Sequence, residues 1–222
     1  MCGRFVKATD KDDLHSRFGF EDPLGVVLEP RYNIAPTQLH PVVIVENDMR
    51  VCRMMKWGLV PHWAKDPAIG YKMINARSEG IEDKPSFRTP FRKRRCLVIA
   101  NGFYEWKKVD PKTTFPYLIR LKSGKPFALA GLWEKWAKEP EPIETFTIIT
   151  TENNELIEPI HNRMPVILHK KNESLWLDPE LTDVEKLKNL LKLYPADEME
   201  MYKVSTAVNS PKQDLPEYIE PV

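Results

Sequence analysis

The chain has 222 residues, 42% of them hydrophobic and 10% aromatic, which suffices for one sizeable core and excludes a disordered polar chain. Its formal net charge of +1 says nothing about partners, but residues 1–108 carry 19 Lys+Arg against 13 Asp+Glu while residues 109–222 carry 14 against 19, so the basic first half permits an anionic ligand. No apolar stretch follows Met1 and no run of about 18 apolar residues occurs, so neither a signal peptide nor a membrane span is expected and the protein reads as cytoplasmic.

The 20 prolines argue against an all-helical chain and for short strands joined by fixed turns. Thr9 is placed to cap a short helix that carries Leu14 and Phe18 and stops at Gly19. Residues 41–46 and 51–57 are apolar and β-branched around Asn47-Asp48, which predicts a hairpin. Residues 96–100, 115–121, 127–132, 145–151 and 165–168 read as further strands, with a turn at Ser123-Gly124. Thr182-Asp183-Val184-Glu185 has the form of a capping box, and the helix after it sets Val184, Leu187, Leu190 and Leu191 on one face before Pro195. Together these elements predict a single α+β domain over residues 1–222, with a mainly antiparallel, barrel-like β core and short peripheral helices.

Four clusters carry candidate chemistry. Removal of Met1 would leave Cys2 with a free α-amine and a thiol on one residue, which ordinarily titrate near about 7.7–8.0 and about 8.5. Such a residue can form an imine with an aldehyde and then close its thiol onto the imine carbon, giving a five-membered thiazolidine. Glu105, in Gly102-Phe103-Tyr104-Glu105-Trp106, is expected near a strand end or in the next turn, among aromatic rings that would desolvate its carboxyl and suit it to move protons. His161, in His161-Asn162-Arg163-Met164-Pro165, follows Pro159 and is expected in a loop, where an imidazole can also shuttle protons. Asn75-Ala76-Arg77-Ser78-Glu79 supplies an amide that can orient a sugar and a guanidinium that can fork onto phosphate.

Arg88, Arg92, Lys93, Arg94 and Arg95, interleaved with Phe87 and Phe91, and the pair Trp57 and Trp63 around Gly58-Leu59-Val60-Pro61, add charges and rings of the kind single strands use. The alternatives are a solvated strand edge for the basic run and core positions for the tryptophans. Cys2, Cys52 and Cys96 show no metal-type spacing; no metal, cofactor or disulfide is expected, and Cys52 and Cys96 read as buried structural thiols.

Taken in order, Met1-Cys2-Gly3-Arg4-Phe5, Arg31-Tyr32-Asn33-Ile34-Ala35-Pro36-Thr37, Trp57-Gly58-Leu59-Val60-Pro61, Asn75-Ala76-Arg77-Ser78-Glu79, Gly102-Phe103-Tyr104-Glu105-Trp106, Ala130-Gly131-Leu132-Trp133-Glu134 and His161-Asn162-Arg163-Met164-Pro165 resemble the SRAP family, the SOS response-associated peptidases. The resemblance spans essentially the whole chain. It implies an N-terminal cysteine in a DNA-binding channel, with Cys2, Asn75, Glu105 and His161 as the catalytic set. It also implies DNA contacts through Arg4, Asn33, Trp63, Arg77 and Thr150. The partner implied is single-stranded DNA holding abasic sites, including stalled replication junctions, met by a monomer without a membrane. The activity implied is a covalent thiazolidine crosslink that shields the site from cleavage. Strand nicking as a lyase, autoprocessing of Met1 by an N-terminal-cysteine peptidase, and non-covalent binding to damaged DNA are the alternatives.

Overall fold

Strand pairing places the N-terminus and the site residues. The computed structural model describes residues 2–22, 24–26 and 28–222, and among these thirteen strands form two sheets. In chain order they are β1 (Phe5–Lys7), β2 (Arg31–Ile34), β3 (Leu39–Glu46), β4 (Met49–Trp57), β5 (Asn75–Arg77), β6 (Arg95–Ala100), β7 (Gly102–Lys108), β8 (Thr114–Leu121), β9 (Phe127–Trp136), β10 (Ile143–Glu152), β11 (Arg163–Pro165), β12 (Ile167–Leu168) and β13 (Met199–Lys203). The larger sheet closes on itself: β10 pairs β4, β4 pairs β3, β3 pairs β6, β6 pairs β9, and β9 returns to β10. Among the described strands only the pairings of β10 with β4 and with β5 are parallel, so the expected barrel-like, mainly antiparallel core is present. The smaller sheet runs β13-β8-β7-β1-β2.

Alternation sorts the strand residues into two apolar layers. Val42, Ile44, Val98, Leu129, Phe146 and Ile148 gather with Cys2, Phe5, Phe103 and Ile119 of the N-terminus and smaller sheet. The intervening Val43, Leu97, Ile99, Ala130 and Ile149 face Leu14, Phe18, Phe91, Trp176 and Leu187 from the helices. These helices are short: α1 (Lys11–Phe18), α2 (Arg88–Lys93), α3 (Glu173–Leu177) and α4 (Val184–Lys188). None among the described residues is long and apolar enough to cross a membrane.

The β3–β4 hairpin forms as its turn demands: Asn47 and Asp48 adopt φ of 49° and 61°, the left-handed pair of a two-residue hairpin turn. Helix α1 does end at Gly19, whose φ is 59° and whose N–H donates to His15 O at 2.9 Å. Its cap, however, is Asp10, which accepts from Asp13 N at 3.0 Å, because the Thr9 hydroxyl is taken by Asn101 Nδ2 at 2.8 Å. The box at residue 182 is likewise displaced: Asp183 caps α4 by accepting from Lys186 N at 3.0 Å, and regular helix stops at Lys188.

The basic run divides: Arg88, Arg92 and Lys93 are exposed, whereas Arg94, Arg95 and the interleaved rings are structural. Phe87 and Phe91 are buried, and Arg95 is 4% exposed, donating to the carbonyls of Phe91 at 2.9 Å and Leu181 at 3.1 Å. Arg94 donates to the buried Glu134 carboxylate at 2.7 Å. Trp57 is also core, with Nε1 on Ile74 O at 2.8 Å. Beside it, Gly58 has φ 124°, and a Cβ there would lie 2.6 Å from Gly70 O, so glycine alone permits the backbone approach that leads the chain back to Asn75.

Candidate functional site at the N-terminus

Cys2 precedes β1, whose neighbours in the sheet are β2 and β7. That pairing sets Cys2 beside the strand that bears Glu105. The side chain is fully buried, and its Sγ–H points at Arg4 O at 3.9 Å. Burial, and after it the negative charge of Glu105, pushes the thiol well above the ordinary range, so it rests as a thiol. The expected loss of Met1 concerns a residue outside those described.

Asn75 opens β5, a three-residue strand held parallel against β10 in the register Ile148 to Asn75 and Thr150 to Arg77. Its Nδ2 donates to Cys2 O at 2.8 Å. Its Oδ1 is buried without a hydrogen-bond partner among the described residues. Arg77, two residues on, is exposed.

Glu105 lies in mid-strand on β7, opposite Tyr117, and not near a strand end as expected; strand β7 continues through the Phe103–Trp106 cluster and carries the carboxyl into the interior. It is 3% exposed, and burial raises its pKa above the ordinary value of 4.5, with His161 pulling the other way. His161 lies in a loop, as expected, before β11. Its Nδ1 lies 3.0 Å from Arg163 N and 3.2 Å from Arg163 O. Since the main-chain N–H can only donate, Nδ1 accepts from it, and Nε2 is the ring nitrogen left to carry hydrogen. Cys2, Asn75, Glu105 and His161, drawn from four separate stretches of sequence, thus meet in one place.

The expected DNA contacts divide. Arg4 sits at the rim of this cluster, its Nη1 donating to Asn33 Oδ1 at 2.5 Å and Val208 O at 2.8 Å, and burial lowers its pKa. Asn33 is fully buried, with Nδ2 on Ser210 O at 2.8 Å and Gln213 O at 3.0 Å. Thr150 is buried too, its carbonyl accepting from Ser78 N at 2.9 Å and Arg163 Nη2 at 2.7 Å. Trp63 is 45% exposed in the loop after Pro61. Among the described residues no three His, Cys, Asp or Glu gather in a way that could hold a metal.

Two features were not singled out from sequence. Arg163 and Glu79 form a bidentate pair at 2.6 and 2.9 Å that ties the His161 loop to the Asn75 segment; both lie within quoted motifs, and that was the available signal. Residues 206–214 lie against Arg4 and Trp106, and nothing local in their sequence announced it.

The fold and this N-terminal cluster define a class, and the comparisons agree: the profile of the SOS response associated peptidase (SRAP) family matches residues 1–211, and the chain belongs to that family. It is 51% identical over 223 residues to the abasic site processing protein YoqW of Bacillus subtilis (strain 168), covering 99% of each chain. It is 33% identical to the abasic site processing protein HMCES of Gallus gallus, over 100% of this chain and 78% of that one. A crystal structure of a Bacteroides thetaiotaomicron protein superposes with a TM-score of 0.89 at 28% identity, covering 100% of both.

Proposed function

We propose that this protein processes abasic sites in single-stranded DNA, including those at stalled replication junctions, by joining them covalently to Cys2. The observation that carries the reading is the convergence on Cys2: the Asn75 amide bonds its carbonyl at 2.8 Å, and Glu105 is close enough for its charge to act on the thiol. The names of the relatives supply the substrate class.

The chemistry follows from that set. After Met1 leaves, the Cys2 α-amine adds to C1′ of the ring-opened sugar and gives a carbinolamine. Glu105, whose hold on its proton burial strengthens, protonates the hydroxyl when it is in its acid form, and water departs to leave an iminium. The Cys2 sulfur then bonds to the same carbon, and a proton is released as the ring nitrogen becomes a neutral amine. The net change is aldehyde plus aminothiol to thiazolidine plus water. The vacant Asn75 Oδ1 is placed to accept from a sugar hydroxyl. His161 Nε2–H is the proton donor for sugar opening and for reversal. Arg4 and Arg77 hold the flanking phosphates. With the carbon saturated, the imine that would promote β-elimination is gone and the strand is shielded.

A denaturing gel tests this. Met1-processed protein and an abasic oligonucleotide are expected to give a heat-stable, slower band that needs both the lesion and Cys2. Retention of DNA without that band would favour non-covalent binding. Loss of Met1 in a host lacking methionine aminopeptidase, with no band, would favour the autoprocessing peptidase.

A further inference from the structure

Arg4 is held by residues far from it in sequence. One nitrogen, Nη1, is committed to Asn33 Oδ1 at 2.5 Å and Val208 O at 2.8 Å, while Nε is buried with no partner among the described residues. Val208 is anchored in a small apolar cluster with Val6, Tyr104 and Tyr218. Asn33 bridges the two sides: its oxygen takes Arg4, and its Nδ2 donates to Ser210 O at 2.8 Å and Gln213 O at 3.0 Å. The far end is latched by Asp214, which accepts from both Arg31 Nε and Tyr32 N on β2. On its other side the segment accepts from Trp106 Nε1 through Asn209 Oδ1 at 2.7 Å, one residue past Glu105.

We propose that residues 206–214 are a strap that belongs to the phosphate site, with Asn33 and Asp214 as positioning residues that hold the Arg4 guanidinium ready for a DNA phosphate. This rests on the reading of Arg4 as a phosphate contact. An arginine side chain left loose loses rotamer freedom at the moment of binding, and one fixed beforehand does not. Asn33 has no exposed surface of its own and both polar atoms of its side chain are engaged within the protein, so it acts on DNA only through Arg4. Asp214 touches none of the reacting groups; it acts by keeping the strap on β2.

The test is a double-mutant cycle read by fluorescence anisotropy, with a single strand carrying a tetrahydrofuran abasic analogue that cannot form an imine. Asp214→Ala is expected to weaken binding about tenfold, the scale of one charged hydrogen bond, and Arg4→Ala by a similar factor. The double variant is expected to bind no more than about twofold worse than Arg4→Ala, because the strap has nothing left to position. Asp214→Asn keeps an acceptor for Tyr32 N and is expected to fall between; it also serves if Asp214→Ala does not fold. Losses that multiply in the double variant would overturn the proposal, as would unchanged binding by Asp214→Asn and Asp214→Ala or no binding by wild type. The capture reading fails separately: binding intact to the analogue, with no heat-stable band on a true abasic strand.

Discussion

Cys2 and Cys96 are both fully buried, and burial pushes both thiols above the ordinary range. Around Cys96, on β6, burial is the sole influence on the thiol, which packs against Val98 and Gly131. Around Cys2 the same apolar cluster is interrupted by polar groups: Glu105 acts on the thiol, Asn75 holds the carbonyl, and Arg4 O takes the S–H. Burial by itself makes a cysteine inert. In the proposed reading the second set of groups makes one of the two a site, and loss of Met1 would put an amine beside its thiol.

The largest expected difference is in capture. Cys2→Ala is expected to remove the stable adduct altogether, whereas Cys96→Ala is expected to leave its yield unchanged on the same denaturing gel. Glu105→Gln comes next, with a fall in adduct formation of about 100-fold or more, the scale of a lost general acid. Because burial raises the Glu105 pKa, the acid form persists above 4.5 and is lost as pH rises through the raised value. The wild-type rate should therefore fall on that alkaline limb, while the opposite limb reports deprotonation of the α-amine near about 7.7–8.0; stopped-time assays across pH should find the Glu105 limb missing in Glu105→Gln. The same sign governs stability: the folded state holds this proton more tightly, so its contribution is full below 4.5 and lost as pH rises through the folded value, and Glu105→Gln should flatten that part of a melting-against-pH curve.

Asn75→Ala removes the bond to Cys2 O and the vacant acceptor together, and an effect of about tenfold on the rate is expected from single-turnover kinetics. The smallest effect belongs to the inert cysteine. Cys96→Ser buries a hydroxyl in an apolar layer and should cost about 1–3 kcal/mol by urea unfolding, with capture unaffected. A change in capture there would break the comparison.

What the sequence disclosed follows the range of the forces involved. The Asn47-Asp48 hairpin and Gly19 were legible because left-handed backbone leaves a local mark. Strand β5 was hidden because three residues carry no period, and β10 alone makes them a strand. Strand β7 was hidden because it follows directly on the apolar strand 96–100; Asn101 Oδ1 accepts from Ala8 N at 2.8 Å and Thr9 N at 3.1 Å between the two, and β7 runs on. That is why Glu105 was expected near a strand end and is found within one. The four candidate residues were legible one by one through their motifs, but their meeting was not, since it depends on sheet order. Asn33 in its buried bracket was the least legible, because its partners at 210 and 213 lie across the chain.

The central claim is that both nitrogen and sulfur of Cys2 end on one carbon of the lesion. Mass spectrometry of the nuclease-trimmed adduct after borohydride treatment tests it most directly. A thiazolidine gives a Cys2 peptide that has lost one water on joining the sugar, carries no free thiol and gains no hydrogens from borohydride. A gain of two hydrogens with the thiol still alkylatable, or an adduct on another residue, would contradict it.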